Sequence, residues 1–144
     1  MPIDVPHVVQ VMGGQRTLGQ RIRTISDLRH AVEAGLPIAV LDQVVLHVFD
    51  QRPGSAELKY GIVPKTTLHR RQRLTADESQ HLERLARMTA LAERVWGDPA
   101  LAHEFLTSVQ PQLDNERPVD LARSDLGTRE VEDVLTRIEY ALPV

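Results

Sequence analysis

Apolar positions recur at helical spacing through most of the chain. Ile38, Leu41, Val45, Val48 and Phe49 repeat every three or four residues and predict a strongly apolar helix over about 37–50. High β-branched content leaves a strand as the competing reading there. Ser26 is placed to cap a shorter helix over 26–34, with Leu28, Ala31 and Val32 on one side and Gly35 and Pro37 as its stop. Thr75 and Glu78 match a capping box that opens a long helix ending near Trp96. Its stripe is Leu82, Leu85, Ala86, Ala92, Val95 and Trp96, with Trp96 as a core anchor. Gly97 ends that helix, and Asp98-Pro99 starts another whose expected buried face is Leu101, Ala102, Phe105, Leu106 and Val109. A polar loop follows over 110–117, then a brief turn at Pro118 carrying Val119 and Leu121. Gly127-Thr128 starts a last helix with Val131, Val134, Leu135, Ile138 and Leu142 on one face. Residues 1–24 read as irregular, because Pro2, Pro6 and Gly13-Gly14 interrupt the short apolar runs. The segment around Val8 to Leu18 is a candidate for self-association or for packing on its own domain.

Between these patterns lies the stretch 55–73, SAELKYGIVPKTTLHRRQR, laid out as a helix-turn-helix. Ser55 is the expected N-cap, Gly61 the expected end of the first helix and Pro64 the expected start of the second. Ile62 and Leu68 would tether the second helix, leaving Lys65, Thr66, Thr67, His69, Arg70 and Arg71 facing outward. Lysine and arginine neutralise phosphates, and arginine and threonine also read base edges, so these residues with Arg73 are the candidate DNA contacts. The plainer reading is a solvated basic helix. Arg52 is expected to be peripheral.

Charge sharpens the division. The net charge of −3 resolves into −1 over residues 1–50, +5 over 51–73 and −7 over 74–144. That separation fits one anionic partner and one different partner. With only 3% aromatic residues the core must be aliphatic, which suits packed helices. The absence of cysteine excludes disulfides and thiolate chemistry. The six histidines (His7, His30, His47, His69, His81, His103) fall at no metal-ligand spacing, and neither a phosphate loop, a dinucleotide fingerprint nor a nucleophile elbow is present. No metal, no cofactor and no catalytic residue is therefore expected. The opening residues lack a leader-like pattern and no run approaches a membrane span, so a cytoplasmic chain without membrane contact is expected.

Taken together, several ordered segments resemble the Xre/MbcA/ParS-type antitoxins, whose partners are RES-domain toxins. LTADESQHLERL (74–85) and AERVWGDPALAHEF (92–105) resemble the two long helices of that family's toxin-binding domain. PVDL (118–121) resembles its loop motif, and GTREVEDVL (127–135) with RIEY (137–140) its closing helix. GIVPKTTLHRR (61–71) resembles the end of its helix-turn-helix. The chain departs from the family at His103-Glu104-Phe105, where a tryptophan is common, and at Ala141-Leu142, where glycine-valine is common.

The resemblance implies an all-α fold: an N-terminal Xre-like helix-turn-helix domain over 1–73, with its motif over about 37–73, and a helical toxin-binding bundle over 74–144. It also implies a non-enzymatic antitoxin that covers the active site of an NAD-consuming RES-domain toxin and represses its own operon by binding operator DNA. Arg123, Glu130, Arg137 and Tyr140 are then candidate toxin contacts. Packing of Tyr140 on the bundle and pairing of Arg137 with Asp133 is the competing placement. Small helix-turn-helix modules bind as dimers, so a homodimer within a larger complex is expected. The alternative function is a stand-alone regulator or localisation factor whose C-terminal bundle serves dimerisation. A pure interaction module that has lost DNA binding is a third.

Overall fold

A computed structural model of the chain describes residues 2–141. The expected all-α class holds: ten α-helices and one 3-10 turn, with no strand among the described residues. Leu142 and the residues after it lie outside the described residues.

The N-terminal segment is helical rather than irregular. Helix α1 (Val5–Val11) is opened by Asp4, whose carboxylate accepts from the His7 amide. Val5, Val8 and Val11 are buried together with Met12, all on the side that packs against the central helix introduced below as α7. A seven-residue helix spans two turns, too short for its periodicity to stand out between a proline and a glycine pair. Gly13 then reverses the chain at φ 101° into α2 (Gly14–Leu18). A Cβ at Gly13 would lie 2.6 Å from Gln43 Cγ, so both backbone angle and space require glycine there.

Helix α3 (Ile25–Ala34) is capped by Thr24, not Ser26. The Thr24 hydroxyl accepts from the Asp27 amide, and the Asp27 carboxylate answers at the Thr24 amide. In α4 (Ile38–Phe49) the helical reading wins over the strand: Val40, Leu41, Val44, Val45, Val48 and Phe49 are all buried. Helix α5 (Ser55–Ile62) is capped by Gly54, not Ser55, and runs through Gly61 instead of stopping there. Val63 and Pro64 make the turn into α6 (Lys65–Leu68), a single helical turn for which Pro64 is the N-cap.

Helix α7 (Ala76–Trp96) is the axis of the molecule. Its expected capping box is present, and at 21 residues it spans about 32 Å. Leu82, Leu85, Ala86, Met88, Ala90 and Ala92 are buried on several sides of it. Gly97 closes α7 in the left-handed conformation, and Asp98 caps α8 (Pro99–Thr107) through the Ala100 amide. A 3-10 turn (Pro111–Leu113) and α9 (Pro118–Leu121) lead to α10 (Asp125–Ala141), which begins two residues before Gly127. Trp96 sits 5.9 Å from the Phe105 ring, as an anchor between α7 and α8 should. Leu101 and Val109 are not on a buried face; they are 45% and 61% exposed.

One apolar cluster runs from Val5 to Leu135, because α1, α3, α4, α5, α8 and α10 all pack on α7. The link between the chain's halves is also hydrogen-bonded. The Leu74 amide donates to the Leu36 carbonyl at 2.8 Å, the Ile38 amide to the Gln72 carbonyl at 3.0 Å and the buried Leu36 amide to Ser79 Oγ at 2.9 Å. Packing is thus continuous across positions 73 and 74.

Candidate functional site

The basic stretch is built on α5, the Val63-Pro64 turn and α6. Leu58, Ile62 and Val63 are buried and Leu68 half-buried, which fixes the turn to the core. Lys65, Thr66, His69 and Arg70 are exposed around it, while Thr67 is half-buried. Lys65 Nζ and Lys59 Nζ lie 5.9 Å and 5.6 Å from the Tyr60 ring centroid, so one aromatic ring gathers both cations.

Two of the candidate DNA contacts also bond to the scaffold, Arg71 from a half-buried position and Arg73 from an exposed one. Arg71 donates to Glu78 at 2.7 Å, bracing the stretch against the first turn of α7. Burial works to raise the Glu78 pKa, but the Arg71 hydrogen bond and the Thr75 amide outweigh it and hold it low. Arg73 donates to the Gly35 carbonyl at 2.9 Å, and its backbone bridges Pro37. The turn ends within reach of acceptors on α7 and the α3–α4 link, and those acceptors take the two guanidinium groups. Arg52 likewise donates to the Ala100 carbonyl at 3.2 Å, joining the α4–α5 loop to α8.

Helix α10 presents the second surface. Gly127, Thr128, Val131, Val134 and Leu135 are buried, and Glu132 and Glu139 reach back to Arg87 and Arg94 on α7. At 100° per residue, Leu126, Glu130, Asp133, Arg137 and Tyr140 fall within one stripe on the opposite side. All five are exposed, Leu126 by 74% and Tyr140 by 72%. Tyr140 therefore does not pack on the bundle, and no Arg137–Asp133 ion pair forms among the described residues. Three of the four candidate toxin contacts (Glu130, Arg137, Tyr140) share this stripe. The fourth, Arg123, is off it: its guanidinium donates to the Asp120 carbonyl at 3.0 Å and to Glu116 at 3.3 Å.

Between the two surfaces, His81 on α7 faces a groove lined by Glu57, Leu58 and Ile62 of α5 and by Arg117 and Asp120. Burial, aided by the Arg84 charge, pushes its pKa down to about 4, so it is neutral near pH 7. Arg117 closes the groove by a two-pronged contact with Asp120 at 2.8 and 3.1 Å.

A fourth feature brings together histidines that fall at no metal-ligand spacing in the sequence. His7 of α1, His47 of α4 and His103 of α8 converge on Glu93 of α7. Their Nε2 atoms lie 2.9 Å (His7, to Oε1), 2.7 Å (His47, to Oε2) and 3.3 Å (His103, to Oε2) from the carboxylate. Burial works to raise the Glu93 pKa, but the hydrogen bonds from His47 and His7 outweigh it and hold it at about 2. No local signal marks this cluster. Its members come from four helices, and only the fold makes them neighbours.

Comparison with known proteins matches the second of these surfaces. Residues 91–141 match the family model described as the Antitoxin Xre/MbcA/ParS C-terminal toxin-binding domain. A protein of Pseudomonas putida named Antitoxin Xre is 35% identical over 74 residues, 51% of this chain and 46% of that protein. The aligned stretch thus spans about half the length of that relative. A protein of Yersinia enterocolitica, also named Antitoxin Xre, is 26% identical over 117 residues, 78% of each chain. Among the described residues no helix is long and apolar enough to cross a membrane. The whole of α8, α9 and α10 lies within the matched segment, so the C-terminal part of the chain is similar to the toxin-binding domain of the Xre/MbcA/ParS antitoxins.

Proposed function

We propose that the protein is an antitoxin. It binds a cognate RES-domain toxin through the outward stripe of α10 and covers the active site at which that toxin consumes NAD. The observation that carries this reading is the free face of Leu126, Glu130, Asp133, Arg137 and Tyr140, set inside the segment similar to a toxin-binding domain. An exposed Tyr beside an Arg is the kind of pair that dominates binding energy at protein interfaces. The chain's −7 balance beyond residue 73 favours a partner whose site is built for an anionic nucleotide. In this reading the chain acts by occupancy, not by catalysis.

The second activity is repression of its own operon through the basic turn. Lys65, Thr66, His69 and Arg70 make the phosphate and base contacts, Thr67 supports them from its half-buried position, and Arg71 and Arg73 hold the turn in place. A one-turn α6 offers few contacts per chain, so two copies on two half-sites supply the affinity.

The test is expression of the neighbouring toxin alone and together with this chain. Growth arrest with NAD loss in the first case, and rescue by the wild-type chain in the second, supports the antitoxin. Retention on promoter DNA with no such toxin supports the stand-alone regulator, for which the exposed basic residues suffice.

A further inference from the structure

We propose that His47, Glu93 and His103 form a binding site for a late first-row divalent transition cation, zinc foremost. His7 acts as the outer group that aims the carboxylate.

The argument starts from the donor set. Imidazole nitrogen with carboxylate oxygen suits zinc, cobalt, nickel and copper, and zinc is favoured where the ligands can close into a tetrahedron. His47 Nε2, His103 Nε2 and one Glu93 oxygen all lie within 4.8 Å of one another. Bonds of about 2.0 Å in a tetrahedral site place neighbouring ligand atoms about 3.3 Å apart. The His103 to Glu93 separation is already 3.3 Å, and the His47 separation of 2.7 Å reaches that value by a small side-chain rotation.

Two imidazoles share one oxygen, Oε2, although the carboxylate has two. Three rings on a two-oxygen carboxylate must share one oxygen, and the two that share it approach from different helices, α4 and α8. A shared cation explains the convergence, because both rings and that oxygen then face one point. His7 takes the other oxygen at 2.9 Å and itself faces Asp4 at 3.9 Å. A carboxylate–imidazole pair behind a ligating group is the usual outer-shell arrangement. Coordination uses the Nε2 lone pairs of His47 and His103, so in the metal-bound form each ring carries its proton on Nδ1.

Access and placement agree with a working site. The cluster lines an open groove with Gln10, Gln43, Leu46 and Asp50, so an ion enters directly and its fourth position faces solvent. Asp50 adds negative charge nearby. His47 lies on α4, which leads into the basic turn, while Glu93 and His103 lie within the segment matched to the toxin-binding domain. A bound ion would therefore fasten the chain's two surfaces to one another.

Titration of the full chain with Co²⁺, followed by displacement with Zn²⁺, tests this. One Co²⁺ per chain with the strong visible absorption of a four-coordinate ion, abolished by a stoichiometric amount of Zn²⁺, is the expected result. His103→Gln should weaken the site at least a hundredfold, and His7→Gln about tenfold, with helix content checked by circular dichroism. Absence of a stoichiometric Co²⁺ spectrum in the wild-type chain, with no rise in thermal midpoint on adding Zn²⁺, would overturn the proposal. So would binding that survives unchanged in the folded His47→Gln, His103→Gln double variant, since the ion would then sit on exposed carboxylates.

Discussion

The basic turn and the α10 stripe are both surfaces of one core, yet they spend their charged residues differently. In the turn, Arg71 and Arg73 bond to Glu78 and to the Gly35 carbonyl, so part of the local positive charge is internal bracing. On α10 the polar residues that brace the helix, Glu132 and Glu139, lie to the side, and the outward stripe is left to solvent. Charge density along a chain therefore overstates how much charge a surface displays. Helical periodicity is the better guide, because it states which side of an element is free.

The comparison breaks most visibly on α10. Replacing Arg137 by Glu and Tyr140 by Ala should weaken toxin binding by about 3 kcal/mol, more than a hundredfold, as loss of a central aromatic and arginine pair does. Calorimetry with the purified toxin checks this, and both helix content and operator binding should stay as in the wild type.

Acid should loosen the boundary between the two regions at His81. Its folded pKa of about 4 lies below the ordinary 6.5, so the folded chain resists the proton that the unfolded chain accepts. Stability from this group is complete above about pH 6.5 and is lost as pH falls toward 4, by about 2 kcal/mol after allowing for its partial exposure. Urea unfolding at several pH values measures the slope, and His81→Gln should flatten it. An unchanged slope would place the acid sensitivity elsewhere.

Within the basic turn the distinction is finer. Arg70→Ala should lower the salt slope of operator binding by about 0.9 on a log–log plot and leave the thermal midpoint alone. Arg71→Ala should do the reverse, lowering the thermal midpoint with the slope intact. Smallest of all, Leu126→Ser should change folding stability by less than about 0.5 kcal/mol while weakening toxin binding.

The helices with strong local punctuation were readable in advance. Thr75 with Glu78, Gly97 and Asp98-Pro99 each solve a backbone problem within a few residues, so α7 and α8 follow from the chain itself. The buried side of α10 follows from the spacing of Val131, Val134 and Leu135, while Glu130, Arg137 and Tyr140 were named from the family resemblance and the structure places them together on the opposite side. Helices α1 and α2 were not, since seven and five residues carry too few periods. The burial of α1 is decided by α7, more than sixty residues away, and that of α2 by α1 and α4. The acceptors of Arg71, Arg73 and Arg123 are hidden from the sequence for the same reason: they are set by how the turns fold back. The Glu93 cluster has no local form at all. His7, His47 and His103 become neighbours only when α1, α4 and α8 pack around α7.

The central claim is that α10 carries the toxin-binding face. Its most direct test is capture of the toxin from native cells by the tagged wild-type chain and by the Arg137→Glu, Tyr140→Ala variant, with the captured protein assayed for NAD consumption. The account predicts a stoichiometric NAD-consuming partner on the wild-type chain and its loss from a variant that still folds and binds operator DNA. Equal capture by both chains would contradict it and move the toxin-binding surface off α10.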